Sequence, residues 1–157
     1  MLVANLLLAL AWAALRAELT LTNIVVGYAL GYLILLTLVR GGVLAEDKYI
    51  GKVSFAAGLL LYFLAELLHA NIRLTRDVLV PGYSMRPGII AVPLDATRDG
   101  EILLLSALIN LTPGSVALDV SPDRSFLYVH VMYMEDPDAA RAEIKQGFER
   151  RVLQLLR

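Results

Sequence analysis

Apolar and polar positions divide this chain in two. Up to about residue 80 the apolar positions form three long runs; beyond it they come in short stretches broken by proline, glycine and charge. Leu19 to Val39 reads LTLTNIVVGYALGYLILLTLV, with Glu18 and Arg40 just outside it. About 20 such residues, coiled as a helix, cross the roughly 30 Å hydrocarbon core of a bilayer. Val53 to Ile72 is a second run of that length, interrupted near its downstream end by Glu66 and His69. Met1 to Leu15 is shorter, so it must tilt little, thin the bilayer locally or lie in the interface. No Lys or Arg precedes Arg16, so this opening run lacks the basic start of a secretory signal and reads as a retained membrane segment. The pattern predicts a membrane domain over 1–78, with helices at about 1–15, 19–39 and 53–72.

Pro81, Gly82, Pro87 and Gly88 stop the helix that leaves the membrane, which makes 79–85 a linker and 86–157 a separate domain. Gly88 to Leu94 predicts a short strand, Gly100 to Leu111 a helix and Ser115 to Val120 a strand. Phe126 to Met134 predicts a further strand, with Leu127, Val129 and Val131 on one face. Pro122 and Asp123 in SPDRS suit a β-turn between the last two strands. Asp136 followed by Pro137 opens a final helix in which Ile144, Phe148, Val152 and Leu155 recur at helical spacing. The predicted fold class is membrane α plus α+β, three N-terminal transmembrane helices followed by a small cytoplasmic β-α-β-β-α domain. A fourth membrane helix over Leu103 to Leu118 is excluded: Asn110 and Pro113-Gly114 interrupt it, leaving about eleven apolar residues, too few to span. A domain of about 70 residues has a marginal core and has to lean on a partner or on the membrane surface.

Composition agrees with two solvents. The chain is 58% hydrophobic with a mean hydropathy of +0.66, against roughly 45–50% apolar in a soluble domain. Yet residues 86–157 hold 18 of the 29 charged side chains (14 basic plus 15 acidic). A net charge of −1 offers no basic field for nucleic acid. Without cysteine there is no disulfide, thiol nucleophile or thiolate metal ligand, and His69 and His130 lie far apart. Ser115 and Ser121 have no nearby histidine, and the glycines match neither phosphate-cradling motif. The sequence therefore assigns no catalytic, cofactor-binding or metal residues and points away from an enzyme. His130 alternates against the apolar face of its strand and is expected at solvent or an interface. Asp119, Asp123 and Arg124 are expected to form a small polar cluster on a solvated turn.

Some polar positions lie inside the apolar runs. Gly27 and Gly31, with Tyr28 and Tyr32 one step round, form a G-x-x-x-G spacing that admits a close helix partner, from this chain or from another subunit. Tyr62, Glu66, His69, Arg73 and Arg76 follow spacings of four, three, four and three, so they share one stripe. Glu66 is the one carboxylate within a long apolar run. Two readings stay open: a step in a proton or cation path, or a group near the headgroups that fixes depth by pairing with His69 or Arg73. With three crossings, Arg16, Arg73, Arg76 and Arg86 lie on the side of the C-terminal region, against Arg40, Lys48 and Lys52, which favours a cytoplasmic C-terminus.

The run LINLTPGSVALDVSPDRSFLYVHV from Leu108 to Val131, preceded by RPGIIAVPL and AELLHANIRLTRDVL, resembles the E component of the multisubunit Mrp-type (Mnh, Pha) sodium/proton antiporters. The resemblance covers nearly the whole chain, and LTPGS, LDVSPDR and YVHV are its most specific parts. It implies a bacterial plasma-membrane complex of several hydrophobic subunits that exchanges sodium, or another monovalent cation, for protons. Within such a complex the E component is a small accessory subunit needed for assembly and activity, while larger subunits carry the principal proton path. Glu66 and Asn71 match the family pattern at the end of the third membrane segment; Thr112, Pro113, Gly114, Asp119 and Asp123 match its soluble-domain motif. The resemblance implies a structural role for these positions apart from Glu66, which would stand in the ion path or at an interface. The expected partners are other hydrophobic antiporter subunits and the lipid bilayer. The rival is a stand-alone membrane-tethered binding module.

Overall fold

Helices α1 (Leu2–Leu15) and α2 (Leu21–Arg40) pair antiparallel because their facing positions carry almost no side chain. A methyl group on Gly27 would stand 2.8 Å from the Ala9 carbonyl oxygen and 2.9 Å from its Cα, and one on Gly31 would strike the Asn5 side chain. Ala9 and Ala13 are buried on the other side of the seam. The G-x-x-x-G spacing thus serves a helix of the same chain. Ala17, at φ 53°, turns the chain between the two helices. The Thr20 hydroxyl then accepts from the Asn23 N–H at 3.3 Å and caps α2.

Residues 1–45, 48–80 and 85–157 are described by this computed structural model, and they divide into two units, Met1–Ser54 and Phe55–Arg157. Pro81 and Gly82, assigned by the sequence to the break between the halves, lie outside the described residues. A third helix, α3 (Lys48–Leu79), passes from the first unit into the second. It runs well beyond its apolar stretch at both ends, and downstream no proline stands before position 81 to stop it. At 1.5 Å per residue, α1, α2 and α3 measure about 21, 30 and 48 Å. Among the described residues α2 and α3 are long and apolar enough to cross a membrane; α1 is apolar but shorter. Two of the three expected spans therefore meet the length requirement.

In the first unit a half-buried polar cluster accompanies the close helix seam. Fully buried Asn5 donates to the Tyr49 hydroxyl at 2.6 Å, Tyr49 donates to Tyr28 at 2.5 Å, and Tyr32 donates to the Ile50 carbonyl at 3.2 Å. Such bonds between membrane helices contribute about 0.6 kcal/mol each, and their directionality fixes register.

The second unit continues with β1 (Gly88–Pro93), α4 (Asp99–Leu111), β2 (Ser115–Val120) and β3 (Phe126–Val131). The three strands form an antiparallel sheet in the order β1-β3-β2. Its register runs from Gly88 opposite Val131 to Pro93 opposite Phe126, and a bulge at Leu118 interrupts the pairing of β2 with β3. One face turns Ile90, Val92, Leu127 and Val129 inward against Leu105, Leu108 and Ile109 of α4. The C-terminal segment adds Ile144, Phe148 and Val152, and α3 adds Leu59.

That C-terminal segment is not one regular helix. Asp136 caps α5 (Pro137–Ile144) by accepting from the Asp138 N–H at 2.9 Å, a π-helical turn covers Lys145–Glu149, and α6 (Arg150–Leu156) completes it. Ile144, Phe148 and Val152 recur every four residues, which would drift about 40° per step round a 3.6-residue helix. The wider turn brings all three into the core. Gly147 sits at its centre, because a methyl there would collide with the Tyr62 hydroxyl and lie 3.0 Å from the Tyr62 Cζ.

Gly27→Ala should force α1 and α2 apart at the cost of about 1–3 kcal/mol. The check is the thermal unfolding midpoint in detergent, which should fall by several degrees; an unchanged midpoint would mean that the two helices do not meet there.

Candidate functional site

The polar stripe of α3 forms one wall of a cleft in the second unit. Glu66, His69 and Arg73 supply that wall, Glu143 and Ile144 of α5 the second, and the Thr112 to Ser115 turn with Tyr133 the third, enclosing about 120 Å³. Below the cleft the Tyr62 ring meets Phe148 edge-on at 5.2 Å, and the Arg151 guanidinium lies over it at 3.9 Å. Arg73 stacks over the Tyr133 ring at 5.2 Å. The Asp77 carboxylate beside Tyr133 raises its phenol above the ordinary range, and burial adds to the effect.

Glu66 thus shares a cleft with Thr112, Pro113 and Gly114, although more than forty residues separate them in the chain. The motif's hydroxyls do not reach into it to react. The Thr112 hydroxyl donates to the Leu108 carbonyl at 2.9 Å and the Ser115 hydroxyl to the Ile109 carbonyl at 2.9 Å, satisfying carbonyls that the end of α4 would leave open. Gly114, at φ 90°, makes the reversal into β2, and a methyl there would lie 3.5 Å from the Tyr133 ring. This turn is a helix stop that also shapes the wall of the cleft.

The other motif residues lie elsewhere. Asn71 is exposed and donates to the Leu67 carbonyl of its own helix at 2.7 Å. Asp119 follows the β2 bulge, is exposed, and accepts from the Val120 N–H. Asp123 is held at about 2, below the usual carboxylate range, by the Ser121 and Ser125 hydroxyls and the Ser125 N–H that shape the turn into β3. Arg124 leaves that cluster to pair with Asp99 at 2.7 Å. His130 is half-buried on the sheet face away from the core, opposite Ile89 and Val116.

Two carboxylates that sequence reasoning passed over prove central. Glu101 and Glu149 are each 1% exposed. Glu149 accepts from the Asp95 and Ala96 N–H groups at 2.6 and 3.0 Å and pairs with Lys145 at 3.1 Å. Glu101 accepts from the Thr97 and Arg98 N–H groups at 3.0 and 3.3 Å and from Arg157 at 3.1 Å. Together they hold the β1–α4 loop by four consecutive backbone donors. Burial lowers the Lys145 pKa, but its bonds to Asp95 and Glu149 outweigh that, and the net shift is upward. Arg157 holds the Glu101 carboxyl at about 2 against an ordinary value of 4.5, helped by the two loop N–H groups and opposed by burial. A Glu three residues into a helix signals a capping interaction, so Glu101 could have been suspected. Nothing local marks Glu149.

Apolar helices of membrane length, one of them running on into a small antiparallel α+β unit, define a small membrane protein. Comparison with known proteins narrows this. A family model described as Na+/H+ ion antiporter subunit (MNHE) matches residues 5–155. The E component of the Na+/H+ antiporter of Bacillus subtilis is 36% identical over 153 residues, 98% of this chain and 96% of that one. Its counterpart in Alkalihalophilus pseudofirmus is 34% identical over 96% of this chain and 94% of its own. The chain belongs to the MnhE family of Na+/H+ antiporter subunits. Among solved structures it is similar to a chain of the Mrp complex from a Dietzia species, with a TM-score of 0.50 and 30% identity, covering 65% of this chain and 96% of that one. It is also similar to a chain of an archaeal respiratory membrane complex, the membrane-bound sulfane sulfur reductase, with a TM-score of 0.56 and 25% identity, covering 96% and 95%.

Because Glu101 is held ionised in the folded chain, its contribution to stability is fully present above pH 4.5 and is lost as the pH falls towards 2. The unfolding midpoint followed from pH 5 to 2 should drop, and Glu101→Gln should start lower at pH 5 and lose part of that slope. A variant with the parent's full slope would remove Glu101 from this role.

Proposed function

We propose that this chain is a non-catalytic accessory subunit of a multisubunit, Mrp-type sodium/proton antiporter, needed for assembly and activity of the complex. Three membrane helices hold it in the bilayer, and the α+β unit braces neighbouring subunits from the cytoplasmic side. The observation that carries this reading is the use made of the polar groups in the α+β unit. Glu101, Glu149, Thr112, Ser115 and Asp123, which are candidates for chemistry by type, are all taken up in holding loops and helix ends. The excess of basic residues on the side of the C-terminal region supports the orientation. The relatives point to the partners: other subunits of a Na+/H+ antiporter, assembled in an Mrp complex.

Removing this chain from the complex should abolish antiport in everted membrane vesicles and reduce recovery of the remaining subunits together. Full exchange activity without it would overturn the proposal.

A second reading is favoured by the cleft, where half-buried Glu66 stands with Glu143, His69 and Arg73. A carboxylate so placed could bind and release a cation or proton beside a neighbouring subunit. On this reading Glu66→Gln lowers the rate of exchange or shifts its pH profile while the purified complex keeps its full set of subunits. Wild-type transport with an unaltered pH profile would exclude it.

A further inference from the structure

The sheet of the α+β unit has two edges, and they are closed in opposite ways. Along β1 the carbonyls of Ala91 and Pro93 accept from Arg141 Nε at 3.1 Å and Lys145 Nζ at 2.6 Å, Pro93 has no N–H to offer, and α5 packs beside the strand. The other edge is β2. It carries Val116 and Leu118, 46% and 51% exposed. An apolar strand that also presents a ladder of open N–H and C=O groups is a template for a strand of another chain.

Which groups β2 turns outward follows from its bonds to β3. Met132 donates to the Gly114 carbonyl at one end and Ser121 to the Phe126 carbonyl at the other, so Gly114 and Ser121 face β3, and antiparallel pairing alternates between them. Allowing for the bulge at Leu118, the N–H groups on the open side are those of Ser115, Ala117 and Val120. Each already has an acceptor within the chain. Ser115 donates to the Thr112 carbonyl at 3.3 Å, Ala117 to Asn110 Oδ1 at 2.8 Å and Val120 to Asp119 Oδ1 at 2.8 Å. Asn110 and Asp119 are exposed, where water satisfies a backbone donor as well as a side chain does. Their bonds are therefore not needed to offset burial; what they change is the availability of the N–H groups.

We infer that Asn110 and Asp119 guard the β2 edge against strand addition by occupying its donors. Carbonyl oxygens are what this edge then has to offer. Two copies of β2 brought edge to edge would set acceptor against acceptor, and a strand of any other protein would find half of its partners already taken. Asp119, one of the motif residues with no place in the cleft, acquires a use that requires no chemistry. The guard acts on the chain whether or not it is assembled with others, so it stands independently of the subunit reading.

The chain has no cysteine, so Val116→Cys gives the full chain, purified alone in mild detergent, a single thiol on β2. A short bismaleimide should link few dimers while Asn110 and Asp119 are intact. Changing both, Asn110→Ala with Asp119→Ala, should raise the yield about tenfold by opening the edge. Two further variants tell edge pairing from loss of fold. Leu103→Cys, 72% exposed and about 10 Å along α4 from Asn110, should show no such rise, whereas a misfolded aggregate would link there equally. Ala117→Pro, added to the opened chain, removes the N–H itself at an edge position that proline tolerates and should return the yield to the parent level. A doubly changed chain no more linked than its parent, an equal rise at Leu103→Cys, or linking that survives Ala117→Pro would each overturn the inference.

Discussion

The contact on which the α+β unit depends is made by a residue of a membrane-type helix. Tyr62 of α3 lies with its ring against Phe148, its hydroxyl over Gly147 and the Arg151 guanidinium on its open face. Leu59 joins the same core, and Phe63 packs against it. A three-stranded sheet with one short helix and a C-terminal helix has too little apolar surface to close on itself. By borrowing these side chains the unit gains a wall it could not make from its own sequence. The π-helical turn follows from the same need: it opens a notch at Gly147 for the Tyr62 hydroxyl and keeps Ile144, Phe148 and Val152 in the core.

The elements were legible wherever a period ran without interruption. The apolar runs gave α1 and α2, alternation gave β3, and the Asp136-Pro137 pair gave the start of α5. The α3 helix exceeds its apolar run at both ends because hydropathy marks where lipid is tolerated, whereas helix propensity decides where the coil stops. The π-helical turn was hidden because a period of four is read as an ordinary helix until the partner of Gly147 is known. Of the cleft, Glu66 and its stripe were visible from spacing, but Glu143 and Tyr133 join it only through the tertiary fold.

Glu149 was illegible for a different reason. It sits among Lys145, Arg150 and Arg151, and such a sequence describes a solvated helix face. The acceptors of a loop's backbone donors carry no local signature, because the donors belong to every residue type. The same limit applies to the glycines of α2, whose spacing announced a close partner but not which helix it would be.

The grip of Glu101 and Glu149 on the β1–α4 loop has a consequence for how this protein can vary. All four bonds end on main-chain N–H groups, at Asp95, Ala96, Thr97 and Arg98. The loop's path is therefore encoded at positions outside it, in α4 and in the C-terminal helix. Its own side chains are relieved of most structural duty, apart from the pairing of Asp95 with Lys145 and of Arg98 with Glu101, and the burial of Ala96. That stretch of surface can change its chemistry while its shape stays constant, so a relative could recast what the loop presents to a neighbour without redesigning the fold beneath it.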